Sequence, residues 1–137
     1  MRWHTGLVVM GLFTSLACSS PTEPKAAQFD QAFTLAPGAA AVIGAENLQV
    51  GFDQVISDSR CPRGAQCIVA GDATVRVWLA KAPRGRENRE LKTTPGGSQA
   101  VYDAYKIVLV TVAPSPEVGS TIRPTDYVVT LTVSRSP

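Results

Sequence analysis

The sequence predicts an all-β fold: a single antiparallel β-sandwich of immunoglobulin-like type with about seven strands, a small closed barrel being the alternative. Three observations carry this expectation. Between residues 28 and 134, apolar and polar residues alternate with period two in runs rich in Val, Ile and Thr. Gly and Pro interrupt those runs roughly every 8 to 15 residues, as turns between short strands require. No window longer than about ten residues carries the 3.6-residue apolar period of a helix.

Taken in order, Phe29, Phe33 and Leu35 make a first, weak strand that stops at the turn dipeptide Pro37-Gly38. Ala39 to Ile43 is a second, ending at Gly44. Leu48, Val50 and Phe52 alternate with Gln49, Gly51 and Asp53 in a third that runs on to Ile56, where Gly51 marks a bulge or a close backbone approach. The clearest strand spans Ala73 to Ala80, with Val75, Val77 and Leu79 on one face and Thr74, Arg76 and Trp78 on the other. Arg84 to Glu90 (RGRENRE) reads as a charged connection, followed by a short strand at Leu91 and Thr93 and a turn at Pro95-Gly96-Gly97. Tyr105 to Val112 is nearly continuous in apolar and β-branched residues, the pattern of a strand covered on both faces. Pro114 and Pro116 end it, and Tyr127, Val129, Leu131 and Val133 alternate in the last strand.

The chain has 137 residues, suited to one domain. Its formal net charge is +2, and losing Arg2 with a leader leaves +1. A nucleic-acid partner calls for a concentrated basic stripe, and membrane attraction through charge calls for a polybasic face; this balance supplies neither.

The N-terminus has its own character. Arg2 is followed by the apolar or small, uncharged run GLVVMGLFTSLA from Gly6 to Ala17. That run is the length of a signal h-region and short of the roughly 20 residues of a permanent membrane helix. Ser15-Leu16-Ala17 then precedes Cys18, and the stretch Ser19 to Ala27 (SSPTEPKAA) is small, polar and Pro-containing. The segment resembles a bacterial lipoprotein signal, with Leu16 two residues before the Cys and Ser15 where that family more often has Leu. The resemblance implies a signal peptide over residues 1–17, acylation of Cys18 as the new N-terminus, and a flexible tether over 18–27 leading to a domain over 28–134. It further implies a membrane as partner and an address in the cell envelope; Ser19 is similar to an outer-membrane sorting residue if the source is Gram-negative. Plain cleavage after Ala17, leaving a soluble secreted or periplasmic protein, is the alternative.

With Cys18 acylated, Cys61 and Cys67 remain, and in an oxidising compartment the two are expected to pair around a turn made by Pro62 and Gly64. The surrounding Asp58-Ser59-Arg60-Cys61-Pro62-Arg63-Gly64-Ala65-Gln66-Cys67-Ile68-Val69-Ala70-Gly71 is similar to a DSRCPxGxxCIxAG segment of small, uncharacterised bacterial secreted or lipid-anchored proteins. In that family a Phe-x-x-Val pattern precedes the segment, as Phe52-Asp53-Gln54-Val55 does here, and a strand follows; a Trp is common where this chain has Val69. The likeness implies export and a β-fold, and no activity. Three readings of the loop stand side by side. It is a disulfide-stapled corner, with Asp58 taking backbone N–H bonds or pairing with Arg60. It is a binding loop with Arg63 at its tip, which would suit an inhibitor of a protease or other hydrolase. Or it is a redox or metal site, although its Cys spacing differs from the C-x-x-C of thiol exchange.

The only histidine, His4, leaves with the signal. Without it, Ser-His-Asp and Cys-His catalysis in their usual forms and His-ligated metals are excluded in the mature domain, no Gly-rich phosphate loop precedes a helix, and a small hydrolase would have to rest on paired carboxylates, which occur here only singly. No catalytic, cofactor or metal residues are assigned. Trp78, on the polar face of its strand, and Tyr102, beside Asp103 and Tyr105, are candidates for a binding surface. The expectation is a lipid-anchored envelope protein acting by binding or structure, with another envelope protein as a candidate partner beside the membrane.

Overall fold

The side chains that alternate inward in the sequence close a core between two sheets. The computed structural model describes residues 23–137, so the expected signal peptide, Cys18 and Ser19 lie outside the described residues. Nine strands form among them: β1 (Lys25–Ala27), β2 (Phe33–Leu35), β3 (Ala40–Ile43), β4 (Leu48–Asp58), β5 (Ala73–Lys81), β6 (Arg84–Lys92), β7 (Gln99–Tyr102), β8 (Tyr105–Ala113) and β9 (Val128–Arg135). One sheet has the order β1-β3-β4-β5-β6 and the other β2-β9-β8-β7. Val50, Phe52, Val75, Val77, Leu79 and Leu91 of the first meet Leu35, Ile107, Val129, Leu131 and Val133 of the second, all buried. The β-sandwich expected from the alternation is what forms.

Every strand from β3 to β6 and from β7 to β9 pairs with its sequence neighbour, and β2 closes against β9. The result is an up-and-down order without the exchanged strands of a Greek key, so the sandwich has nine strands among the described residues where about seven were expected, and its connectivity is not the immunoglobulin-like one. Connections therefore gather at two ends. The β4–β5, β6–β7 and β8–β9 connections share one end with Asp58, Ala73 and Ala113; the hairpins β5–β6 and β7–β8 share the other with Lys81, Tyr105 and Arg135.

Several elements depart from the sequence reading. Lys25–Ala27, read as the end of the tether, pairs in parallel with β3, and Ala27 is buried. Small side chains that suggested a spacer also fit a covered edge. Arg84 to Glu90, read as a connection, is most of edge strand β6. Its register sets Glu87, Arg89 and Leu91 opposite Leu79, Val77 and Val75, on the inward side. Arg89 donates from Nε to the Val101 carbonyl of β7 (3.1 Å) and pairs with Glu87 (2.6 Å), so its cation sits across the opening between the sheets. Charge on an edge strand blocks pairing with another chain, which is why a sequence that reads as a solvated loop is strand here. Strand β7 had no expected counterpart. Strand β8 is central but covered on one side only: Lys106, Val110 and Thr111 are exposed, because no layer packs on the outer face of its sheet.

Gly51 is a close approach, one of its two expected roles. A Cβ there would lie 2.0 Å from the Trp78 ring, which occupies the space above this backbone.

Candidate functional site

The 58–72 connection is the most organised irregular segment, and its order begins in local chemistry. Ser59 donates its backbone N–H to the Asp72 carbonyl (2.7 Å) and Cys61 to the Ala70 carbonyl (3.0 Å), so β4 and β5 continue as a narrow ladder past their ends. Gly71 has φ +66° and faces the Ser59 carbonyl so closely that a Cβ would come within 1.8 Å of that oxygen. Cys61 and Cys67 are joined in a disulfide, as expected, with Cα atoms 5.9 Å apart. A loop this short gains about 2 kcal/mol from restricted unfolded-chain entropy.

Asp58 and Arg60 form the clamp at its base. The Arg60 guanidinium donates to Asp58 through Nε (2.8 Å) and Nη2 (2.6 Å), then crosses to the other sheet to reach the Val112 carbonyl (2.6 Å) and the Pro114 carbonyl (2.9 Å). Tyr127 donates its hydroxyl to the second Asp58 oxygen (3.1 Å). The pair is 9 % exposed at Asp58 and 16 % at Arg60. Burial pushes the Asp58 carboxyl up, but the Arg60 hydrogen bonds outweigh it and hold the group below its ordinary value. The same pairing raises Arg60. The two residues thus fasten the end of β4 to the ends of β8 and β9.

Arg63 sits at the rim. Its backbone N–H donates to the Pro116 carbonyl (2.9 Å), and its carbonyl accepts from Val118 N–H (3.2 Å). Its guanidinium pairs with Glu117 at 2.7 Å, both side chains well exposed. The 61–67 loop is therefore zipped to the 114–120 segment, and a shallow groove of ≈ 270 Å³ lies between Arg63, Glu117, Thr121 and Asp126. Beyond the disulfide the chain turns outward: Ile68 is fully exposed and Val69 is 76 % exposed.

The remaining candidates fall elsewhere. Tyr102 is buried, 1 % exposed, so it offers no binding surface; its hydroxyl accepts from Lys81 N–H and donates to the Gly85 carbonyl, securing the β5–β6 hairpin. Trp78 stays half-buried on the outer face of its sheet, with the Arg86 guanidinium 4.4 Å above its ring and Arg86 paired in turn with Asp53. Among the described residues, Asp58, Arg60 and Arg63 are brought together at one end, and Trp78 and Tyr102 are not part of that group. Sequence reasoning missed Glu117, Val118, Ile68 and Val69; Ile68 and Val69 carried a signal, since neither belongs to the alternation of β5.

At the opposite end, Glu46 takes hydrogen bonds from Tyr105, Arg135 and Lys81. The Tyr105 hydroxyl, then Arg135, lower its carboxyl from 4.5 to about 2 against a smaller opposing effect of burial. A carboxyl depressed on folding contributes stability that is complete above its unfolded value and lost as pH falls through its folded one. Denaturant midpoints should therefore fall between about pH 4.5 and about pH 2. Glu46→Gln should flatten that decline, and an unchanged slope would mean that the cluster does not couple to folding. Among the described residues, no group of three or more His, Cys, Asp or Glu side chains is placed to hold a metal ion.

Together these features define a single-domain β-sandwich with one disulfide-closed loop locked across both sheets. No known protein family, curated protein or solved structure matches the chain.

Proposed function

We propose that this chain is an exported, lipid-anchored envelope protein whose β-sandwich is a non-catalytic binding or structural domain, working through the end that carries the 61–67 loop. The observation that carries the reading is the contrast at that end. The disulfide, the Asp58–Arg60 clamp and the Arg63–Glu117 zipper hold the loop rigid, while Ile68 and Val69 stand out in solvent. A preorganised surface of this kind loses little entropy when it binds. Export is supported by the disulfide, which persists in oxidising compartments, and by the signal-like run before Cys18.

The reading that the loop inhibits a protease by offering Arg63 has less support. Extended-segment recognition uses main-chain hydrogen bonds, and both backbone groups of Arg63 are already engaged by the 114–120 segment. Cells fed a labelled fatty acid should incorporate label into the wild-type protein and none into Cys18→Ser, with the variant shifting out of the membrane fraction. Wild-type protein that takes up no label would overturn the anchor.

A further inference from the structure

The exposed aliphatic tip and the path of the N-terminal chain point the same way. Ile68 and Val69 follow the disulfide directly, and Val118, 62 % exposed, lies across the loop beside Gly64. The nearby cations are already neutralised, Arg63 by Glu117 and Arg123 by Asp126. What this end offers a partner is aliphatic surface with little net charge.

Strand β1 runs parallel to β3, which starts at the side of Gly51 and runs away from the loop. Lys25, the first residue of β1, therefore lies at the loop-facing end of that strand. Lys25 is level with Ala41, Val50 and Leu79, and from Leu79 to Ala73 at the loop base is about 20 Å of strand. From Cys18 to Lys25 is seven residues, which reach at most about 25 Å when extended. A chain drawn straight from an anchor at Cys18 thus brings the bilayer to about the level of the loop.

We infer that Ile68 and Val69 are a membrane-contact tip: the anchored domain stands with its loop end on the bilayer, and these two side chains enter the boundary between headgroups and acyl chains. This rests on the lipid anchor proposed above. Because the flanking charges are paired, aliphatic burial and not headgroup charge carries the contact, so it holds equally on zwitterionic and anionic lipid and in high salt. The base is rigid enough for two side chains to be presented together, and the short tether keeps them at the surface without needing strong intrinsic affinity.

The test uses the full lipidated chain carrying Ile68→Trp, reconstituted in phosphatidylethanolamine–phosphatidylglycerol vesicles containing lipid brominated on its acyl chains. Wild-type protein, with Trp78, sets the background, and Val101→Trp, exposed at the opposite end, is the control. Val69→Trp replaces Ile68→Trp should that variant fail to fold. Acyl mass on the Cys18 peptide, with blue-shifted emission and bromolipid quenching at position 68 and none at 101, is the expected result. Acyl mass without quenching at 68, or with equal quenching at 101, overturns the tip and leaves the anchor standing. Absence of acyl mass overturns both. A blue shift that grows with protein concentration in vesicle-free detergent assigns the tip to a second copy and overturns the membrane contact.

Discussion

Arg60→Ala is expected to be the most damaging single substitution outside the apolar core, costing about 3 kcal/mol of stability and lowering the melting temperature by roughly 10 °C or more. The size follows from what is left behind. Removing the guanidinium strips two hydrogen bonds from Asp58 and one each from the Val112 and Pro114 carbonyls, while Asp58 stays mostly shielded, keeping the Arg60 backbone N–H and the Tyr127 hydroxyl but no cation. Leaving a charge buried without its partner costs far more than the net worth of the pair. Arg60→Lys should recover only part of the loss, because an ammonium cannot reach one carboxylate by two parallel bonds and two carbonyls as well. The double variant Asp58→Ala/Arg60→Ala should be more stable than Arg60→Ala alone. Equilibrium denaturation of the three variants decides it; a cost under about 1 kcal/mol for Arg60→Ala would mean that the clamp behaves like an ordinary surface pair.

Gly71→Ala is expected to cost about 3 kcal/mol, from two separable causes. At φ +66° any Cβ is strained, and here it also meets the Ser59 carbonyl oxygen at 1.8 Å. That oxygen belongs to backbone already bonded to Asp72, so relief requires opening the ladder that carries the disulfide loop. Two other glycines separate the causes. Gly38→Ala, at φ +82° with open space around it, should lose only the conformational term of about 1 kcal/mol, and Gly85→Ala, open and without positive φ, should change stability by less than about 0.5 kcal/mol. A Gly71→Ala variant no worse than Gly38→Ala would show that the Ser59 approach relaxes freely.

Where burial alone decides structure, the chain is readable. Val75, Val77 and Leu79 announce β5 because one face must leave water, and Val129, Leu131 and Val133 do the same for β9. The misreadings lie at edges. In β6 the inward positions hold Glu87 and Arg89, so the period-two signal is written in charges that pair with each other and with β7. In β1 the backbone pairing needs no side-chain pattern, and only Ala27 goes inside. The loop was legible as a disulfide from its two cysteines, and Asp58–Arg60 as a pair from proximity. The crossing to Val112 and Pro114 was not, since contacts some fifty residues apart leave no local trace. Tyr102 misled for a related reason: a Tyr near a hairpin tip looks like surface, and only the fold shows its hydroxyl turned under the neighbouring hairpin.

The pairing of β2 with β9 joins the beginning of the domain to its end. Strands β3 to β6 and β7 to β9 can each zip in sequence as they appear, but Phe33 and Leu35 find their partners Leu131 and Val129 only when the last strand is present. A chain emerging N-terminus first, from a ribosome or through a translocation pore, therefore carries an open apolar seam until residues 128–135 are out. Completion waits on the eight residues of β9, and a truncation before Val128 removes the strand that joins β2 to β8, leaving Phe33 and Leu35 without partners.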